Sequence, residues 1–451
     1  MFNWRKRSVD LVGSVLFRGS MPPRAADFQY LVAQGVRLEE VDPQNEHLAW
    51  CLNAHHDAWG DAEIFSPRQM PPPPRALIAF DQSLTSDEKE AAAAGRSVVL
   101  VRVRGSKQDV LRDRKTLLRW LGAVMADDGV VTVDLTAQRM WSRAVLDEEL
   151  SHDADVDIVA LYTLHVIGDS DDDDDDEDAP ADWLHTHGLS EIGFFDFDIL
   201  KPADELGTIA ADALRAIAFA IVEGEVTKST PRWQLAYPKG DVRFVDVAEF
   251  NRRAAPDVKR LRGEHPERDE DHNHDRAVLC EPSGKFLGRW LDTIKPSKYL
   301  SGTFDEEAMF KLSEAASQLS EARAKLTYPL FRKLADELKE FEFPVLAKIG
   351  YEVDAASEPG EREYLWFEVH ELFDDAVDAT LGNEPFHVAR LKAGQRGRHA
   401  IANMNDWAIM TPIGTINPRN TQPAREIRAH RDEFRAALAE AQRESGQQEH
   451  A

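Results

Sequence analysis

His185 and His187 stand two residues apart within Trp183–Leu189, and that spacing is the sharpest chemical signal in the chain. In an extended strand, residues i and i+2 share a face, so both imidazoles can reach one metal ion. Asp196 and Asp198 repeat the spacing shortly afterwards, and from the next strand they would face the histidines. Two imidazoles and two carboxylates suit zinc or iron(II). The same residues have a plainer reading, in which Thr186, His187, Gly188 and Leu189 form a turn whose polar groups satisfy the backbone. No nucleophile or general base stands at an identifiable spacing from them. The sequence therefore requires no cofactor, and zinc or iron(II) is what it would accommodate.

Weaker candidates lie elsewhere. His265, His272 and His274 sit among Asp269, Asp271 and Asp275 without apolar neighbours, as in a solvated loop. His55 and His56 adjoin Trp59, and adjacent side chains diverge on a helix. Toward the C-terminus, Trp366, Asn383, Pro385, Asp406 and Trp407 support two readings. One is a folding role, with Gly382 and Asn383 in a turn and the tryptophans in a small core. The other is an aromatic-lined groove that binds a peptide or protein.

The elements that must position these residues read as α+β. At 451 residues the chain exceeds the size of one core. Residues 1–80 look irregular and end at Pro71–Pro74. Residues 81–225 read as an α+β sandwich, a small mixed sheet with helices. A Thr85/Glu88 capping box opens its first helix, and strands are expected at Ser97–Val103, Gly129–Val133, Val156–Val166 and Ile192–Leu200. Nine of the ten residues 169–178 are acidic, which predicts a self-repelling loop. Residues 226–340 form an α+β extension and a helical connector, broken near Thr327 by Pro329. Residues 341–417 alternate short strands with turns, as in a small, strongly bent sheet or barrel. Residues 418–451 are a charged helical tail, disordered at its end.

Composition narrows the partners. The net charge of −27 repels phosphate backbones and anionic lipid, so neither nucleic acid nor membrane is expected. A protein with a basic surface suits it better; the oligomeric state is not legible. Cys51 and Cys280 match no metal or redox spacing. The apolar stretch Val9–Phe17 is short and broken by Asp10 and Gly13, so a signal peptide is not expected and the location is read as cytoplasmic.

Further C-terminal residues form an ordered pattern: Glu363 and Trp366, then Leu381, Asn383 and Pro385, then Leu391, Lys392 and Gly394, then Asp406 and Trp407. This resembles the YegJ-like bacterial domain, domain of unknown function 2314, over roughly residues 315–415. Ala379 stands at a glycine of that pattern, and Tyr364 and Leu365 replace a frequent His-Met pair. Upstream, Trp183, His185, His187, Gly188, Leu189 and Gly193 resemble domain of unknown function 4026. Neither family has an established activity, so the resemblance implies architecture and no catalytic residues. Two functions follow as expectations. The first is a non-catalytic protein-binding or regulatory module, of immunity type by association; the second is a metal-dependent hydrolase using His185, His187, Asp196 and Asp198.

Overall fold

The apolar run Ser8–Phe17 is buried on both alternations along most of its length, and the structure, a computed structural model, makes it a central strand. Residues 8–43, 45–168, 181–201, 208–237, 240–263, 275–283, 294–300, 309–310, 312–354 and 361–448 are described.

Strand β1 (Ser8–Phe17) pairs along its whole length with β5 (Ser97–Ser106) and, on its other side, with β6 (Gly129–Asp134). With β2 (Arg37–Val41), β3 (Leu48–His56), β4 (Gly60–Pro67) and β7 (Arg139–Ser142) they form a seven-stranded antiparallel sheet, ordered β2-β3-β4-β5-β1-β6-β7. The helix Val110–Met125 lays Leu117, Leu118, Leu121 and Val124 on it. It comes so close to Gly13 that a Cβ there would lie 2.7 Å from Leu121. Residues 1–80, expected to be irregular, thus supply four strands. The signal was hidden because β2 exposes most of its side chains and β3 carries histidines and polar residues.

The strands expected within 81–225 do not share one sheet. Strands β8 (Thr163–Gly168), β9 (Ala181–His187) and β10 (Asp196–Leu200) open a second sheet with β11 (Trp233–Gln234), β13 (Asp241–Asp246) and β14 (Arg276–Cys280). Its order is β11-β13-β14-β10-β9-β8, with β10 and β14 parallel. A short ribbon pairs β12 (Ala236–Tyr237) with β15 (Met309–Phe310). One face of the second sheet merges with the core of the first through Phe197, Ile199 and the helix Thr208–Val222. Its other face is covered by the helices Val247–Arg253 and Pro256–Gly263, over Trp183, Val245 and Val278.

The connector breaks at Thr327 as Pro329 demands, giving helices Glu314–Leu326 and Tyr328–Glu337. The third sheet is antiparallel and ordered β19-β18-β17-β16-β20-β21. Its strands are β16 (Val345–Glu352), β17 (Arg362–Leu372), β18 (Ala376–Leu381), β19 (Arg396–Ala400), β20 (Met404–Thr411) and β21 (Gly414–Ile416). The class is α+β, as expected. No closed barrel forms among the described residues: β19 and β21 remain edges, and Phe331, Leu334 and Ile427 from the helices cover one face instead. The acidic run 169–178 lies outside the described residues. No helix among the described residues is long and apolar enough to cross a membrane.

Buried charges lock the three sheets together. Arg215 forks onto Asp157 (2.7 and 3.0 Å) and donates to Ser320 on the connector. Arg323 binds Glu149 at 2.8 and 3.0 Å. Beside this network His152 is 8% exposed, and burial, helped by Lys115, pushes its imidazole down to about 4. A base held low in the folded state takes up its proton on unfolding. Stability is therefore full above the unfolded value of 6.5 and is lost as pH falls toward 4. The expected loss is about 2–3 kcal/mol. Urea denaturation at stepped pH, with chelator present, checks this; His152→Asn should flatten the profile across that window, and an unchanged slope would contradict it.

Candidate metal centre

The turn after β9 is built first, because it sets where the histidines stand. Asp196 accepts from the Thr186 hydroxyl (2.8 Å), the Ser190 hydroxyl (2.6 Å) and the amides of Leu189 and Ser190. The Thr186 hydroxyl accepts in turn from the Phe197 amide at 3.0 Å. Gly188 has φ +125°, and a Cβ on it would lie 2.5 Å from the Leu161 carbonyl oxygen, so glycine is required. Asp196 is thereby spent on the bend.

Asp198 is spent on arginines. It lies directly opposite His185 in the β9–β10 register, yet its carboxylate pairs with Arg276 (2.8 Å) and Arg262. All three side chains are essentially inaccessible, and Arg276 also donates to the Thr186 carbonyl at 2.9 Å. A carboxylate between two guanidiniums is a poor ligand, because taking it to a metal would cost two buried cations the carboxylate they share.

The structure brings a third imidazole to the pair. His165 on β8 stands opposite His185, and His187 stands opposite Thr163, so His165, His185 and His187 share one face. Each offers a nitrogen, and the three nitrogens lie within 4.8 Å of one another. The ring centroids are 4.7–5.2 Å apart. His185 is buried, and His165 and His187 are half-buried. Trp183 stacks on His185 at 4.2 Å, and the Arg262 guanidinium lies over Trp183 at 5.2 Å. Strands β8 and β9 thus carry one cluster of aromatic rings, from buried Trp183 and His185 to half-buried His165 and His187. Sequence reasoning missed His165, because cross-strand register cannot be counted along the chain. Its placement in Thr163–Gly168, alternating with Leu164 and Val166, was the available signal.

Among the described residues, the remaining candidates stand elsewhere. His265, His272 and His274 fall outside the described residues. His55 pairs with Asp61 (2.6 Å), and His56 stacks on Trp59, both on the first sheet. Cys280 is buried, and burial pushes its thiol up to about 12, which leaves it protonated and unreactive. In the third sheet the pattern residues part company. Trp407 enters the core, stacks on Phe331 at 4.8 Å and donates to the Thr327 hydroxyl at 2.9 Å. Asp406 accepts from Arg419 at 2.7 Å. Trp366, facing away from that core, lies under the Lys348 ammonium at 5.4 Å. Asn383 is exposed and Pro385 half-buried, both beyond β18.

No curated protein and no solved structure matches the chain. One family model does, over residues 167–280, from the end of β8 through β14 and including His185 and His187: it is described as the C-terminal part of a protein of unknown function, DUF4026.

Proposed function

We propose that this is a non-catalytic binding protein whose second sheet holds a transition metal on His165, His185 and His187. The convergence of three imidazole nitrogens within 4.8 Å carries the reading. Imidazole suits zinc and iron(II), and three protein ligands leave a position for a fourth group from a partner. The hydrolase alternative has less support, because the two nearby carboxylates that could assist a metal-bound water serve the turn and the arginines. The net charge of −27 favours a basic protein as the partner. The YegJ-like resemblance of the third sheet supports a separate recognition module, with Trp366 and the loop at Asn383–Pro385 on its outer side.

The test is a zinc titration of chelator-stripped protein against a chromophoric competitor. One equivalent should bind, and His165→Ala or His185→Ala should weaken it about 100-fold or more, given that even outer ligand partners govern affinity by 10–100-fold. Binding should fall with acid, because protons compete for the imidazoles. Protein that takes up no zinc while folded removes the proposal; ester hydrolysis by the loaded protein above that of free zinc would restore the enzyme reading.

A further inference from the structure

A second site, independent of the histidines, lies where the first two sheets meet the connector helices. A cavity of about 400 Å³ opens there, a size that takes a small organic ligand. Arg139, Trp141 and Tyr162 line it, with Leu164, Leu214 and Leu330. Leu164 alternates with His165 on β8, so the cavity is on the opposite face of that strand from the imidazoles.

The charges around it are uneven in one respect. Three lining arginines have carboxylates: Arg323 has Glu149, Arg419 has Asp406, and Arg425 has Glu88 and Glu148. Arg139 has none within ion-pair distance among the described residues. Its Nη1 donates to the Val159 carbonyl at 2.8 Å, while its Nε is buried without a hydrogen bond. The guanidinium lies 5.4 Å from the centroid of Trp141, which is itself 4% exposed. A guanidinium over a buried indole, beside aliphatic side chains, matches a planar anion that carries an apolar body. Asp81 also lines the cavity, but its oxygens accept from the Ser83 amide and hydroxyl and from the Met140 amide. It offers little to an ammonium.

We propose that this cavity binds a small carboxylate with an apolar body, the carboxylate on Arg139 and the body against Trp141, Leu214 and Leu330. A ligand there would touch the first two sheets and the connector helices, and its binding would tighten the junction. The proposal does not depend on the metal centre.

Calorimetric titration of chelator-stripped protein tests it, with 3-phenylpropionate, 3-phenylpropanol and 3-phenylpropylamine as probes of similar shape and different charge. Stripping the protein keeps the carboxylate from reading out a metal instead. The carboxylate should bind and raise the melting temperature, and the alcohol and amine should bind more weakly by about tenfold or more, as expected for a charge-assisted pair. Arg139→Met keeps the stem over Trp141 and should remove the preference for the carboxylate. Should that variant fail to fold, Leu330→Trp fills the cavity and should abolish binding. Equal binding of all three probes, an undiminished carboxylate preference in Arg139→Met, binding that survives Leu330→Trp, or no binding of 3-phenylpropionate overturns the proposal.

Discussion

Asp198→Asn is expected to destabilise the protein by about 3–5 kcal/mol, the range for removing one member of a buried ion pair. Asp198 sits between Arg262 and Arg276, and none of the three side chains is more than 1% exposed. An amide at that position still accepts a hydrogen bond but carries no charge, so two buried guanidiniums lose the carboxylate they share. Arg276 ties this cluster to the Thr186 carbonyl, and Thr186 belongs to the turn that sets His187, so the damage reaches the candidate centre through the fold. Denaturant unfolding measures the loss. Replacing Asp198, Arg262 and Arg276 together with Leu, Met and Met should recover much of it, because an apolar cluster of similar volume has no charge to solvate. A variant with wild-type stability that has lost zinc would instead make Asp198 a ligand.

Arg323→Met carries the second large effect, on the way the units hold together. Arg323 reaches Glu149, the Asp155 carbonyl at 2.9 Å and the Pro418 carbonyl at 3.2 Å, so one buried side chain touches the first sheet's last helix, the linker and the C-terminal unit. Burial works to raise the Glu149 carboxyl, but Arg323 and Lys115 outweigh it and hold it at about 2. Without Arg323, Lys115 alone would face that carboxylate at 2.9 Å. The expected cost is again about 3–5 kcal/mol. Its signature differs, since the third sheet has its own core around Phe331, Phe367 and Trp407. Calorimetry should show the C-terminal unit melting ahead of the remainder. A single transition at the wild-type temperature would mean that Arg323 contributes nothing to the junction.

The elements that declared themselves in the sequence are those whose burial is one-sided or continuous. The helix Val110–Met125 and strands β5 and β6 have apolar faces set by local spacing, and Pro329 forces its break whatever surrounds it. The Thr85 cap is equally local: its hydroxyl accepts from the Glu88 amide, and its own amide donates to the Glu88 carboxylate at 2.8 Å. What stayed hidden depends on pairing between distant segments. β1 gains its place only by lying between β5 and β6, and the parallel β10–β14 pair joins Asp196 to Arg276 across the helix Thr208–Val222. The candidate site divides in the same way. The i, i+2 spacing of His185 and His187 was legible, while His165 arrives through register. The two aspartates looked like ligands by spacing; Asp196 is taken by the turn, and the arginines that engage Asp198, Arg262 and Arg276, lie more than 60 residues away.

X-ray absorption at the zinc edge of the loaded protein reads the ligand set without recourse to activity. Three imidazole nitrogens at about 2.0–2.1 Å, falling to two in His165→Ala, are the predicted result. A first shell of oxygen atoms, or a spectrum unchanged by His165→Ala, would contradict the three-histidine centre.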